Sequence, residues 1–514
     1  MNATNLGTLA DLLLEQGLLA AGSPLADPSE PSRDVRVLGC AHDSRAVEPG
    51  NVFVCKGVRF EPRFLAAAEA AGAVAYVCDE ALAGGLARVA PGLPQLACRD
   101  VRRAMSLVAR AAWGYPDRDL HVVGVTGTKG KTTVTYMLRS ILDGDEPGSR
   151  AGLLGSVEYY DGASRGRSPN TTPEAPELFR RLANAADHGL TMVMEVSSQG
   201  LKYGRVEGVS FDVAALTNIG RDHISPVEHP TLEDYVASKM RIFEHAGSAV
   251  VQLGLMGRDD VAAACEGLEV TTFDACDPAA DVWASDVRPE GGGTAFTAHV
   301  PGWERAMSVA LPGSFNVENA LCAIAVAWRL GVDADRIAAG LARTRVPGRM
   351  ERVASESGDL VAIVDYAHNG QSFERFFESV REQYPGWPVV SVFGCTGVKG
   401  LERRLQMPPV AARDSRLLVY TEDDPGTEPL SDIIRDMVSV TPPDARYEVV
   451  EDRTRAIFRA VEVAGGWAAE EGRALVCLLG KGAEDRMLTA EGPVPRELDA
   501  EVVARAIRER DARR

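Results

Sequence analysis

The stretch Gly127-Thr128-Lys129-Gly130-Lys131-Thr132-Thr133 gathers glycines, lysines and threonine hydroxyls into one short loop. Glycines let backbone N–H groups approach phosphate oxygens, and a helix N-terminus behind them favours negative charge. In such a loop Lys131 reaches the outer phosphates of a nucleoside triphosphate and the Thr132 hydroxyl ligates Mg²⁺. Position 125 is Val where the general phosphate-loop pattern asks for Gly, so the match is to a shorter variant, TGTxGKTT. The bland alternative is a glycine-rich turn with incidental lysines. The apolar run HVVGVTG before the loop and the helix-like VTYMLRSIL after it count against that alternative.

Three further residues could complete a metal and phosphate centre. Glu195 ends the apolar run TMVMEVSS, and a hard carboxylate oxygen at a strand end suits Mg²⁺. His223, in TNIGRDHIS, follows the next apolar run in the same topological position, and Lys239 lies in the helix-like LEDYVASKMRIF. Taken singly, Glu195 reads as well as an ion-paired carboxylate, His223 as a packing histidine and Lys239 as a solvated helix lysine. Periodicity alone does not lift them above those readings.

The elements that must position these groups come from the apolar pattern. HVVGVTG, TMVMEVSS and FDVAALTN read as buried parallel strands that deliver polar residues at their C-terminal ends. From about 347 onward LVAIVDYAH, PVVSVFGC, SRLLVYTEDD and ALVCLLGKG alternate with helix-like stretches, which predicts right-handed βαβ units and a doubly wound sheet. Val52-Phe53-Val54 and Val74–Val77 mark short strands near the start, Trp113–Asp117 reads as a linker, and 281–312 as a small antiparallel insertion or edge. The expected architecture is α/β with three domains, at 1–118, 119–346 and 347–514. Two α/β domains facing each other would make a cleft suited to joining two substrates.

Composition limits the partners. A net charge of −18 argues against a general nucleic-acid binder, which needs clustered Lys and Arg, but not against a small anionic substrate in a local basic pocket. The nine cysteines show no CxxC pairing and suggest a reducing cytoplasm. No apolar run approaches a membrane span, and the N-terminal MNATNLGTLADLLLEQGLLAAG reads as an amphipathic helix, not a signal peptide.

The ordered motifs DSR (43–45), TGTKGKTT (126–133), NTTPE (170–174), MEVSSQ (194–199), TNIGRDHISPVEHPTLEDY (217–235), GSFNVENA (313–320), VPGRME (346–351), VDYAHN (364–369) and GKGAE (480–484) resemble the Mur ligase superfamily over nearly the whole chain. Within it they look most like the MurE branch, which adds the third residue of the peptidoglycan stem to UDP-MurNAc-L-Ala-D-Glu. The resemblance implies an N-terminal UDP-binding domain, a central P-loop ATPase domain and a C-terminal Rossmann-like domain that binds the amino acid. It also implies that ATP phosphorylates the D-Glu γ-carboxylate and that an amine attacks the resulting acyl phosphate. Two Mg²⁺ ions are implied, one on Thr132 and Glu195 and one on His223, with Lys239 carrying a carbamate. The nucleotide would be held by the loop Gly127–Thr133, by Asn319 and Arg349, and at the ribose by Asp365. The muramoyl-peptide arm would rest on Thr171, Thr172, Ser198 and Arg205, and the UDP end on Ser44. A cytoplasmic monomer is expected.

The amino-acid side departs from one branch of the family. Diaminopimelate-adding relatives carry Asp-Asn-Pro-Arg, whereas this chain has Asp423-Asp424-Pro425-Gly426. Loss of the guanidinium fork and gain of an anion favour a side chain ending in an ammonium, so L-lysine is expected. L-Ornithine is one methylene shorter, a difference of only ~1–3 kcal/mol in a pocket, and meso-diaminopimelate is the third alternative. Relatives contact the incoming amino acid at the positions of Lys399, Gly480 and Glu484, with Glu484 on the α-amine and Lys399 on the α-carboxylate. Asp424 could instead be an acidic turn residue beside Glu422 and Asp423. Three rival readings are a folylpolyglutamate synthetase, a MurE-like ligase of secondary metabolism, and a nucleotide-binding scaffold without activity. The 118 residues before the ATPase region count against the first, and the intact set of candidate residues against the last.

Overall fold

The computed structural model describes residues 4–57, 59–221, 224–225, 228–398 and 401–513. The chain folds as two compact units, one made of Met1–Trp283, His299–Trp303 and Leu321–Gly340, the other of Ala284–Ala298, Glu304–Ala320 and Leu341–Arg514.

In the first unit the strands expected from HVVGVTG, TMVMEVSS and FDVAALTN form at Val122–Thr126, Thr191–Glu195 and Phe211–Leu216. They are adjacent, with the phosphate-loop strand in the middle, and both pairings are parallel. Ala151–Leu154 extends the parallel sheet on one side, and Ala246–Gln252 and Glu269–Asp274 on the other. Parallel strands buried on both faces need continuous apolar runs, and every residue of Val122–Thr126 is buried. A separate parallel sheet of Gly39–Ala41, Asn51–Val54, Ala75–Asp79 and Gln95–Cys98 lies nearer the N-terminus.

These two sheets share one apolar core, which runs from Leu6, Leu9 and Leu13 through Met105 and Val108 to Phe179, Leu182 and Leu216. Helix Val101–Ala112 packs on helix Ala175–Asp187, and Ser106 Oγ donates to the Glu207 carbonyl at 3.1 Å. The stretch read as a linker, Trp113–Asp117, is therefore packed: Asp117 is buried, takes the Arg110 guanidinium at 2.7 Å and accepts the Ser210 N–H at 3.1 Å. Gly and Pro marked a turn there correctly, but the turn closes a helix against the core.

In the second unit the sheet order is Glu351–Ala354, Leu360–Asp365, Ala474–Leu479, Val389–Phe393, Leu417–Tyr420, Tyr447–Val449. All its pairings are parallel except the first, at the edge. Alternate residues along each strand enter opposite cores: Val361, Ile363, Leu475 and Cys477 on one face, Leu360, Ala362, Val364, Val476 and Leu478 on the other. That is the doubly wound arrangement expected from the βα alternation. The segment expected as an insertion or edge forms the strands Val282–Glu290, Gly293–Val300 and Trp303–Val309. No helix among the described residues is long and apolar enough to cross a membrane.

Candidate functional site

The phosphate loop leaves its strand at Thr126 and turns through Gly127 (φ +147°) and Gly130 (φ +87°) into helix Lys131–Asp143. Both turns use backbone that side chains rarely adopt. A Cβ on Gly127 would also meet Thr217 Oγ1 at 1.9 Å. The loop is braced from the neighbouring strand end, where Asn218 Oδ1 accepts the Lys129 N–H at 2.9 Å and Thr217 Oγ1 donates to the Lys129 carbonyl at 2.7 Å. Thr128 Oγ1 accepts the Gly220 N–H at 2.9 Å and lies 3.1 Å from the Tyr235 hydroxyl.

Two ammonium groups converge on one carbonyl of this loop. Lys131 Nζ donates to Gly127 O at 2.9 Å, and the buried Lys239 Nζ donates to the same oxygen at 2.8 Å. Lys239 also lies over the Tyr235 ring, 4.5 Å from its centroid. Like charges crowded in a dry site repel, so the pocket is prepared for anions.

Glu195 is buried at the end of its strand. Its Oε2 accepts the Thr132 hydroxyl at 3.0 Å and the Ser156 hydroxyl at 3.1 Å, while Oε1 accepts the Ser156 N–H at 2.8 Å. Ser156 Oγ lies 3.0 Å from Thr171 Oγ1, and Thr172 Oγ1 donates to the Glu195 carbonyl at 3.0 Å. Arg205 donates to the Thr172 carbonyl at 3.0 Å and lies 3.0 Å from Glu174, which also pairs with Lys56. Burial alone would raise the Glu174 carboxyl, but Lys56 and Arg205 beside it bring it below its ordinary value. One polar network thus joins Thr132, Glu195, Thr171, Thr172 and Arg205, and through Lys56 it reaches the N-terminal sheet. Ser198 follows at the start of the short helix Ser198–Lys202 and pairs with His229. Ser44 is half-buried in the turn Ser44–Ala46 behind Asp43, which is bound by its neighbour Arg45 at 2.6 Å.

In the second unit the candidates cluster at the carboxyl ends of the parallel strands, where open α/β sheets bind ligands. Asp365 accepts the N–H groups of Met350 (2.8 Å) and Ala367 (2.7 Å) and so shapes the corner in which Arg349 stacks on Tyr366, 4.4 Å from the ring centroid. Asn319 is buried and donates to Asn316 at 3.1 Å.

The residues expected around the amino acid gather about a group that motif matching passed over. The buried Lys481 Nζ lies 2.9 Å from Asp424, 2.6 Å from Glu484 and 3.8 Å from Asp423. Asp424 also accepts the Leu488 N–H at 2.7 Å and takes a left-handed backbone, φ +48°. Burial pushes the Asp423 carboxyl up to about 6, with Lys481 opposing. Gly480 is required there, because a Cβ would stand 2.2 Å from Asp423 Oδ2. Asp424 is therefore a strained, bonded turn residue as well as an anion. Lys481 lies inside the quoted GKGAE, but only the fold shows which carboxylates it faces. Asn218, His229 and Tyr235 likewise lie inside the quoted TNIGRDHISPVEHPTLEDY without a role read for them, whereas Ser156 lies in none of the quoted motifs. His223 and Lys399 lie outside the described residues.

A braced phosphate loop with a buried carboxylate at the adjacent strand end defines a P-loop enzyme of phosphoryl transfer. Comparison with known proteins narrows the class. The Mur ligase middle domain matches residues 125–327, and the Mur ligase glutamate ligase domain matches residues 348–482. The UDP-N-acetylmuramyl-tripeptide synthetase of Bifidobacterium longum is 36% identical over 530 residues, covering 98% of this chain and 99% of that protein. The UDP-N-acetylmuramoyl-L-alanyl-D-glutamate–2,6-diaminopimelate ligase of Geobacillus kaustophilus is 35% identical over 477 residues, covering 90% of this chain and 93% of that one. A solved structure of another such diaminopimelate ligase superposes with a TM-score of 0.65 at 26% identity, covering 94% of this chain and 97% of that one. The chain belongs to the Mur ligase family. It is an ATP-dependent ligase that joins an acid to an amino acid.

Proposed function

We propose that this ligase adds L-lysine to the D-Glu γ-carboxylate of UDP-MurNAc-L-Ala-D-Glu in the cytoplasm, as a monomer. Residues 1–118 would bind the UDP end, 119–346 ATP and 347–514 the amino acid. The observation that carries the reading is the second unit's cluster, in which Asp423, Asp424 and Glu484 outnumber the ammonium of Lys481, while the Arg453 guanidinium near Asp423 is paired with Asp499. A site with carboxylates in excess attracts a further cation, and Gly426 offers no guanidinium to a distal carboxylate. The tripeptide-synthetase name of the Bifidobacterium relative supports the acceptor. The name of the Geobacillus relative favours a second reading, meso-diaminopimelate as the added residue.

A carboxylate is a poor electrophile, so phosphorylation by ATP supplies its leaving group. Lys131 would neutralise the outer phosphates, and the loop amides would hold them against the helix N-terminus. The donors around Glu195 suit Mg²⁺, because a buried carboxylate and the Thr132 hydroxyl are hard oxygen ligands. Thr132 and Glu195 would hold one ion; His223 and a carbamylated Lys239 would serve a second, the ions neutralising phosphate charge. The carbamate would relieve the crowding of Lys239 and Lys131 on Gly127 O by replacing a cation with an anionic oxygen.

The test is product identity. With ATP, UDP-MurNAc-L-Ala-D-Glu and L-lysine, mass spectrometry is expected to find the nucleotide-linked tripeptide, whose isopeptide bond to the γ-carboxylate fragmentation would locate. A dipeptide left unchanged with L-lysine, L-ornithine and meso-diaminopimelate alike would refute the acceptor.

A further inference from the structure

Ser198, His229 and Asp234 stand in line. The His229 side chain is fully buried. Its Nε2 lies 3.0 Å from Ser198 Oγ and its Nδ1 2.7 Å from Asp234 Oδ2. Asp234 also receives Lys202 Nζ at 2.7 Å, and that bond holds its carboxyl below the ordinary value. With the imidazole neutral, an ionised Asp234 accepts its Nδ1–H and Nε2 is left to accept the Ser198 O–H. Ser198 Oγ then presents only lone pairs to whatever approaches it. Ser198 begins its helix three residues beyond Glu195, on the loop that leaves the same strand end.

The Tyr235 ring meets the imidazole edge-on, centroids 5.2 Å apart. Glu228 precedes it in the chain, its carboxylate bonded by Gln199 at 3.2 Å and its carbonyl by Lys202 at 3.1 Å. Charged groups near His229 thus include Asp234, Lys202 and Glu228.

Amide formation must strip two protons from the ammonium of the incoming amino acid, and the first must go before the nitrogen can attack. We propose that the Ser198–His229–Asp234 line removes that first proton, an inference that rests on the ligase reading above. Ser198 Oγ accepts a proton from the ammonium as it passes its own hydroxyl proton to His229 Nε2, and Asp234 stabilises the imidazolium. The freed nitrogen lone pair forms the C–N bond at the acyl-phosphate carbonyl. The C–O bond to phosphate breaks, and the second nitrogen proton leaves on the phosphate. Ser198 touches the amine; His229 and Asp234 act through it.

The test compares two acceptors in the full-length enzyme with ATP and UDP-MurNAc-L-Ala-D-Glu. L-Lysine arrives as an ammonium, whereas hydroxylamine is a neutral amine at neutral pH and needs no base. In His229→Gln, which keeps hydrogen bonding without titrating, transfer to hydroxylamine is expected to stay within about threefold. Transfer to L-lysine is expected to fall about 10²-fold or more, and to recover partly as pH rises. Asp234→Asn leaves the imidazole in place and is expected to give a smaller loss with the same insensitivity to hydroxylamine, which keeps the test open if His229→Gln does not fold. Equal loss with both acceptors would make the line a structural tie and overturn the relay, as would retention of both. No transfer to either acceptor by the unaltered enzyme would remove the ligase reading, and the relay with it.

Discussion

Lys239 illustrates how far a single residue can be read from its neighbours. In the chain it looks like one more helix lysine. In the fold it is buried and shares the Gly127 carbonyl with Lys131. The proposed carbamate predicts that Lys239→Ala loses ligation and regains part of it with added short-chain carboxylic acids, measured as phosphate release across acid concentration. No rescue at any concentration would assign the residue a cationic role. Asp423 gives a prediction in pH. Its carboxyl rises from 3.8 to about 6 through burial, so the folded chain holds this proton more tightly than the unfolded chain. Its contribution to stability therefore declines as pH climbs from 3.8 to about 6. The cluster's full negative charge is present only above that window. The KM for a cationic amino acid is thus expected to rise as pH falls through about 6, and Asp423→Asn to flatten that rise. A KM independent of pH across this range in the unaltered enzyme would contradict the charge argument. These roles were legible only in part. Lys131 and Glu195 follow from spacing and strand ends, but Asp424 is 57 residues from Lys481 and Ser198 is 31 from His229, separations that no local pattern encodes.

At the scale of elements, strand ends position the chemistry. The apolar runs located the strands that carry the phosphate loop, Glu195 and Asn218, because strands buried on both faces need unbroken hydrophobic sequence, but not the neighbouring parallel strand Ala151–Leu154. The polar residues following each run then fall at the carboxyl edge without further information. What pattern reading could not supply is the close approach between elements. Gly155 follows the strand Ala151–Leu154, and a Cβ there would stand 2.4 Å from Glu195 Oε1. That carboxylate is held by Thr132 and Ser156 and has little room to yield. Gly155→Ala is expected to leave the fold intact and raise the Mg²⁺ concentration needed for half-maximal activity about 10–100-fold. Thermal unfolding together with a Mg²⁺ titration checks it; an unchanged Mg²⁺ requirement would remove Glu195 from the proposed Mg²⁺ site.

For the whole molecule, the N-terminal sheet and the central sheet share a core. Removing residues 1–118 would uncover Phe179 and Leu182, which pack in the same cluster as Met105 and Val108. It would also delete the Arg103 and Lys56 partners of Glu207 and Glu174. The truncated chain is expected to aggregate or to unfold well below the full-length protein, as light scattering and calorimetry would show. A soluble, cooperatively folded remainder would contradict this account of the core. The alternation of apolar runs foretold several α/β segments, but hydrophobic faces do not name their partners, so this shared core was not legible in the sequence.

The proposed activity is that of an ATP-dependent ligase whose amino-acid site favours a side-chain ammonium. Phosphate release with UDP-MurNAc-L-Ala-D-Glu, measured in parallel with L-lysine, L-ornithine and meso-diaminopimelate, tests it most directly. Strong release is expected with L-lysine and little with diaminopimelate. Preference for L-ornithine would keep the charge argument and shorten the pocket, whereas preference for diaminopimelate would contradict the reading of Asp424 and Gly426.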